Sequence, residues 1–371
     1  MSNIQKQHKI SPAIAWLTIQ KFIIFYCPLD GEHTTSEMNG GSFLLRCGNP
    51  FGIMDLQKNK GDYFMSMQIV FEQILIIFGY VIVGYVAGKK NLITKEQQRY
   101  LSKLVSSLIL PFTVLSASSM EASGQDIVNV AIAVALLFSC MALTSAGCML
   151  YAKIKQVPEK KRAAYTGLCT YPNCTFIGMP LCIALMGEWG TLYGAAGIIA
   201  FNLLFFTLQI SLFTRQKFHP KIFLTPLNIS TLALILMLIF HLHFPRPLQT
   251  VCSNIGGITT PMALIIVGVM LADGNLLQIV TEKRAYVISL IRNLICPLIM
   301  LVVMALLPLD PNLRMAVLIY VACPVANLTS VYAIQHDMEP ALCARATLLS
   351  TILFAATIPF IIWLGQLVYG V

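Results

Sequence analysis

The sequence predicts an all-α polytopic membrane protein of ten transmembrane helices, built as two inverted five-helix repeats. Three observations carry this prediction. The chain of 371 residues is 57% hydrophobic and 11% charged, where soluble domains carry about a quarter charged residues. Its apolar residues gather in runs long enough to cross a bilayer, separated by short polar connections. Two of those runs break alike, at Tyr171-Pro172-Asn173-Cys174-Thr175 and at Cys323-Pro324-Val325-Ala326-Asn327-Leu328-Thr329. Each break sets a proline and then an Asn-x-Thr triplet inside an apolar stretch, so helices four and nine are interrupted.

Residues 1–66 read differently from the rest, with scattered Gly, Asn and charges and no lasting period. The apolar run from Ala13 to Cys27 is short for a span and is followed by no A-x-A-like cleavage site. The expectation is a disordered N-terminal extension, with the membrane transport domain over 67–371. Repeat one covers 67–213, with segments at about 69–88, 100–117, 127–151, 163–187 and 191–213. Repeat two covers 225–371, with segments at about 225–244, 252–272, 285–308, 313–336 and 343–369. Asn173-Cys174-Thr175 matches Asn327-Leu328-Thr329 at an offset of 154 residues, and the Pro111 and Pro261 motifs of segments two and seven match at 150. Five is an odd number, so the second copy enters the membrane from the opposite side. Inverted repeats of this kind give inward-open and outward-open states of equivalent shape, the geometry of alternating access.

The net charge of +9 lies in short clusters between apolar runs, which argues against nucleic acid and for orientation in a lipid bilayer. Lys89, Lys90, Lys95, Arg99 and Lys103 surround the first loop, and Lys153, Lys155, Lys160, Lys161 and Arg162 fill the third. Arg215, Lys217 and Lys221 lie in the fifth, Lys283 and Arg284 in the seventh, and Arg345 beside the ninth. Even-numbered loops hold only Arg246 and Arg314, with Glu121, Asp126, Glu188 and Asp310. Odd loops are therefore cytoplasmic, and both ends of the ten-helix unit lie outside the plasma membrane. The eleven cysteines form no C-x-x-C pair or His/Cys cluster, so neither a metal nor a cofactor is expected.

Chemistry is expected at the breaks. Pro172 and Pro324 remove amide donors and stop the helix, and an irregular backbone survives at membrane depth only where it lines a protein-walled or wet cavity. The restarting half-helices present free amides and a partial positive charge. Asn173 and Asn327 add amide donors, and Thr175 and Thr329 add hydroxyls, so a carboxylate can be bound without a full counter-charge. Arg292 enters segment eight roughly 11 Å deep at 1.5 Å per residue. Two roles stand open for it, steering an anion on the inner side or snorkelling to the headgroups. Asn202 stands equally open between the crossover and helix packing, while Gly256-Gly257 and Gly268 are read as helix contacts. No Asp or Glu lies near the middle of a span, which disfavours coupling through a buried carboxylate.

On these residues the chain resembles the auxin efflux carrier family of PIN-like membrane transporters. The resemblance rests on Asn173-Cys174-Thr175-Phe176-Ile177-Gly178-Met179-Pro180-Leu181 with Gly187, Gly190 and Tyr193, and on Phe201-Asn202. Pro261, Gly268 and Leu271, then Pro324, Ala326 and Asn327, and finally Ser350-Thr351 and Thr357-x-Pro359 complete it. It implies that helices four and nine cross within a mobile domain that moves against a scaffold of helices one, two, six and seven. It also implies an organic anion as substrate, met by Asn173 and Asn327. About a dozen residues join segments five and six, so the chain is similar to the compact bacterial type. The expectation is a secondary transporter for a small mono- or dicarboxylate of the malate or malonate kind. An anion channel or an exporter of an auxin-like indole carboxylate is the alternative. Assembly as a homodimer is left open. An enzyme is not expected, since no metal cluster, Ser/Lys dyad or facing carboxylates lie within the spans.

Overall fold

The computed structural model describes residues 67–370, apart from 121, 215–224 and 275. The expected N-terminal extension, Glu121 and the basic residues of the fifth loop lie outside the described residues. What is described is all helical, with one isolated antiparallel β-bridge between Pro172 and Val325. Among the described residues, seven helices are long and apolar enough to cross a membrane. In chain order the helices are α1 (Met67–Lys89), α2 (Lys95–Ser119), α3 (Gly124–Ile154), α4 (Glu159–Thr170), α5 (Cys174–Thr214) and α6 (Pro226–Ile239). They continue with α7 (Arg246–Ala272), α8 (Leu276–Thr281), α9 (Lys283–Leu306), α10 (Pro311–Ala322), α11 (Asn327–Gln335) and α12 (Pro340–Tyr369).

Helix α5 runs for 41 residues, about twice what a bilayer needs. Gly187, at φ 58° and ψ −128°, divides it. That conformation belongs to glycine, because a Cβ would clash with the backbone. The chain therefore turns at Gly187, where segments four and five were expected to part. Three prolines lie just downstream of a π-turn: Val105–Ile109 before Pro111, Cys174–Gly178 before Pro180, and Ile291–Ile295 before Pro297. A proline has no N–H for the carbonyl four residues back, and the widened turn spares its ring a clash with that carbonyl. Arg292 and Asn293 sit on the third of these turns.

Helices α1 and α7 cross closely. A Cβ on Gly268 would run into the carbonyl oxygen of Val81 and lie 2.7 Å from the Tyr85 nitrogen, and one on Gly84 would meet the carbonyl of Ile265. Gly256 makes a second close approach, its Cβ position 2.8 Å from the Cα of Thr113 on α2, whereas Gly257 faces open space. Thr113 donates to the Ile109 carbonyl or to that of Gly256 and hydrogen-bonds the Thr259 hydroxyl, which ties the kinks of α2 and α7 together. Asn202 donates to Asn228 at 2.7 Å and so joins α5 to α6; of its two expected roles, packing is the one seen.

An ion-pair network fastens the entry of α9 to that of α12. Arg284 bonds Glu282 at 2.9 Å and Glu339 at 3.4 Å, and Arg345 reaches Glu282 at 3.4 Å. The Glu282 carboxyl is held below the usual carboxylate range, chiefly by the hydrogen bond from Arg284. A carboxyl depressed in the folded state stabilises above its unfolded pKa, and that contribution is lost as pH falls through the folded one. Glu282→Gln is therefore expected to cost up to about 1 kcal/mol at neutral pH and nothing once the wild-type carboxyl is protonated. Melting temperature against pH for both proteins checks this, and parallel acid limbs would contradict it.

Candidate functional site at the paired helix breaks

The two interruptions meet and hydrogen-bond to one another. Pro172 disfavours helical geometry at Tyr171, which is extended at φ −96° and ψ 118°. On the other side Cys323 is extended before Pro324 in the same way. Across the Pro172–Val325 bridge, the Asn173 amide donates to the Pro324 carbonyl at 2.8 Å and the Ala326 amide donates to the Tyr171 carbonyl at 2.9 Å. Each break thus satisfies part of the backbone that the other exposes, in a medium where an unpaired group costs several kcal/mol.

Asn173 then reverses the chain. At φ −76° and ψ 70° it forms an inverse γ-turn, closed by the Cys174 amide on the Pro172 carbonyl at 2.8 Å. Its side-chain oxygen caps the new helix by accepting from the Phe176 amide at 3.3 Å, and its carbonyl accepts from Gly178 at 2.9 Å. The side-chain nitrogen of Asn173 makes no bond to the described residues, and neither does the half-buried amide of Asn327. Thr175 is likewise half-buried and unbonded. The backbone amides of Thr175, Asn327 and Leu328, in the first turns of α5 and α11, also lack a partner among the described residues. These donors, carried by two half-helix N-termini held side by side, make a positive and purely neutral-group array. Thr329 stands apart from it: fully buried, its hydroxyl donates to the Gly167 carbonyl of α4 at 3.4 Å.

The array is braced from behind by α12. Ser350 accepts from the Val325 amide at 3.1 Å, donates to Thr347, and offers its carbonyl to the side-chain nitrogen of Asn293 at 2.7 Å. One serine therefore links the second break to α9. On the α3 side, Ser145 bonds Thr170 at 3.2 Å where α4 ends. Tyr171 is fully buried with its ring edge-on to Phe201 and Phe205, at 5.6 and 5.0 Å. Tyr320 donates to the Gly194 carbonyl at 2.9 Å and sets α10 against α5.

Arg292 does not snorkel. Its side chain is 2% exposed, and it is the sole charged residue among the buried described residues. Its Nε and Nη2 have no hydrogen-bond partner among the described residues. The π-turn that carries it packs against α4 and α10, the helices that lead into the two breaks. Stripping a buried charge of its partner ordinarily costs about 3–5 kcal/mol. Beside the array, between α1, α7, α12 and Ile177 of α5, lies a cavity of about 200 Å³ whose walls are apolar apart from Thr351.

Membrane-crossing apolar helices, two of them interrupted and paired around an array of donors, define a multi-pass membrane transport protein. The chain matches the family described as membrane transport protein over residues 69–222 and again over 209–362, and it belongs to that family, which is that of the auxin efflux carriers. No curated protein matches the chain.

Proposed function

We propose that the protein is a secondary transporter that carries a small organic anion across the plasma membrane by alternating access. The observation that carries this reading is the reciprocal bonding of the two breaks, which sets free amides from two half-helices together with Asn173, Asn327 and Thr175. A carboxylate matches such an array, since it accepts several hydrogen bonds and is favoured at helix N-termini. Thr329 supports the array by anchoring α11 to α4. Pro172 and Pro324 keep the helices open at this level. Arg292 gives the region a positive potential that draws an anion inward.

In this reading α4 with the first part of α5 forms the fourth of ten spans, and α10 with α11 forms the ninth. The repeats are 67–213 and 225–371, inverted, with both ends of the unit outside and the basic loops in the cytoplasm. The substrate is a mono- or dicarboxylate of the malate or malonate kind. A second reading, an indole-type monocarboxylate, is favoured by the apolar cavity beside Ile177, which would take a non-polar body but not a second charge. An anion leaving the cell runs down an inside-negative potential, worth about 2.3 kcal/mol per charge per 100 mV.

A thermal-shift screen of the purified protein against acetate, malonate, malate and indole-3-acetate tests this. A ligand bound only by the folded state raises the melting temperature, and the rise is expected to vanish in the Asn173→Ala, Asn327→Ala double variant. Equal rises in both proteins would overturn the site assignment.

A further inference from the structure

We propose a second anion subsite, centred on Arg292 and separate from the amide array of the crossover. Arg292 leaves Nε and Nη2 unpartnered while 2% exposed, and an arginine cannot shed its proton to escape burial. Ser289 lies three residues before it on the same face of α9, 1% exposed, with a hydroxyl that has no partner. Thr166, fully buried on α4, which packs on this part of α9, has an unpartnered hydroxyl as well. A guanidinium and two hydroxyls on two packed helices are buried without partners, and no carboxylate is buried among the described residues to answer them. A small anion answers both needs: it neutralises the cation and accepts from the hydroxyls.

The ligand chemistry is a single compact negative group. It comes either from solution as a halide, or from the far end of a dicarboxylate whose near end sits on the crossover. The subsite travels with the breaks, because Asn293, next in sequence, is tied through Ser350 to Val325.

Melting temperature tests it, with sodium chloride and sodium malonate titrated against the sodium salt of a bulky sulfonate at equal ionic strength. In the bulky salt, Arg292→Gln is expected to melt higher than wild type, because it removes an unpaired buried charge. Chloride should raise wild type by a few degrees and leave Arg292→Gln unmoved, malonate should raise Arg292→Gln less than wild type, and Arg292→Lys should keep part of each rise. Ser289→Ala, which retains the cation, should weaken the apparent affinity several-fold, and it serves if Arg292→Gln does not fold.

A chloride response that persists in the Asn173→Ala, Asn327→Ala double variant marks a solution anion and a site independent of the crossover. A response to malonate, but to neither chloride nor acetate, marks the second carboxylate of the substrate. Superimposable titrations of wild type and Arg292→Gln, or a chloride response lost in the asparagine double variant and kept in Arg292→Gln, would overturn the proposal. Either result would leave the crossover reading intact, and a failed crossover would leave an Arg292-dependent chloride response in place.

Discussion

Asn327→Ala is expected to lower carboxylate transport about 10- to 100-fold while leaving the melting temperature unchanged or slightly raised. The loss corresponds to one hydrogen bond to a charged group, about 1.5–3 kcal/mol. Stability is spared because the Asn327 side chain makes no bond to the described residues, and alanine is the better helix former. Asn173 is a contrasting case, since its side-chain oxygen also caps Phe176. Asn173→Ala should therefore lose transport and about 1 kcal/mol of stability together. Asn173→Asp should keep the cap and the fold, yet bind the anion worse than Asn173→Ala, because it sets a like charge against it. Initial uptake rates in proteoliposomes, read beside melting temperatures, check all three. An Asn173→Asp protein that transports as wild type would remove Asn173 from the site.

Gly268→Leu is expected to have the largest effect on stability. Even a Cβ at that position runs into the Val81 carbonyl and stands 2.7 Å from the Tyr85 nitrogen. These are backbone atoms of a packed helix, so no rotamer relieves the clash and α1 must move off α7. Overpacking ordinarily costs about 1–3 kcal/mol, and this site should reach or pass the top of that range. Gly257→Leu is the matched control, because nothing lies within 4 Å of its Cβ position. Yield of monodisperse protein and melting temperature report the difference, and a Gly268→Leu protein as stable as Gly257→Leu would contradict the described crossing.

Much of this was legible in the sequence where local chemistry decides it. Prolines and Asn-x-Thr triplets marked both breaks, and hydropathy placed the ends of segments one, four and seven close to α1, Gly187 and α7. The pairing of the breaks was not legible, because Pro172 and Val325 are brought together only by the packing of distant helices. Nor could depth alone settle Arg292. The second half of α9, Cys296–Leu306, is apolar on all sides, so the rotation of the helix is set by its neighbours, and the neighbours turn Arg292 and Asn293 inward. Thr329 illustrates the same limit: its place in the triplet pointed to a ligand, while the fold engages its hydroxyl with Gly167. Ser350 carried no chemical signal of its own beyond its place in the family resemblance, yet it joins α12, Val325 and Asn293.

Counterflow tests the central claim most directly. Proteoliposomes preloaded with unlabelled malonate, or with whichever carboxylate raises the melting temperature, are diluted into labelled substrate while the potential is clamped to zero. An alternating-access carrier should accumulate label transiently above equilibrium and be stimulated by substrate on the far side, and the Asn173→Ala, Asn327→Ala variant should do neither. Label that only equilibrates, at a rate indifferent to the preload, would show an anion channel and contradict the account.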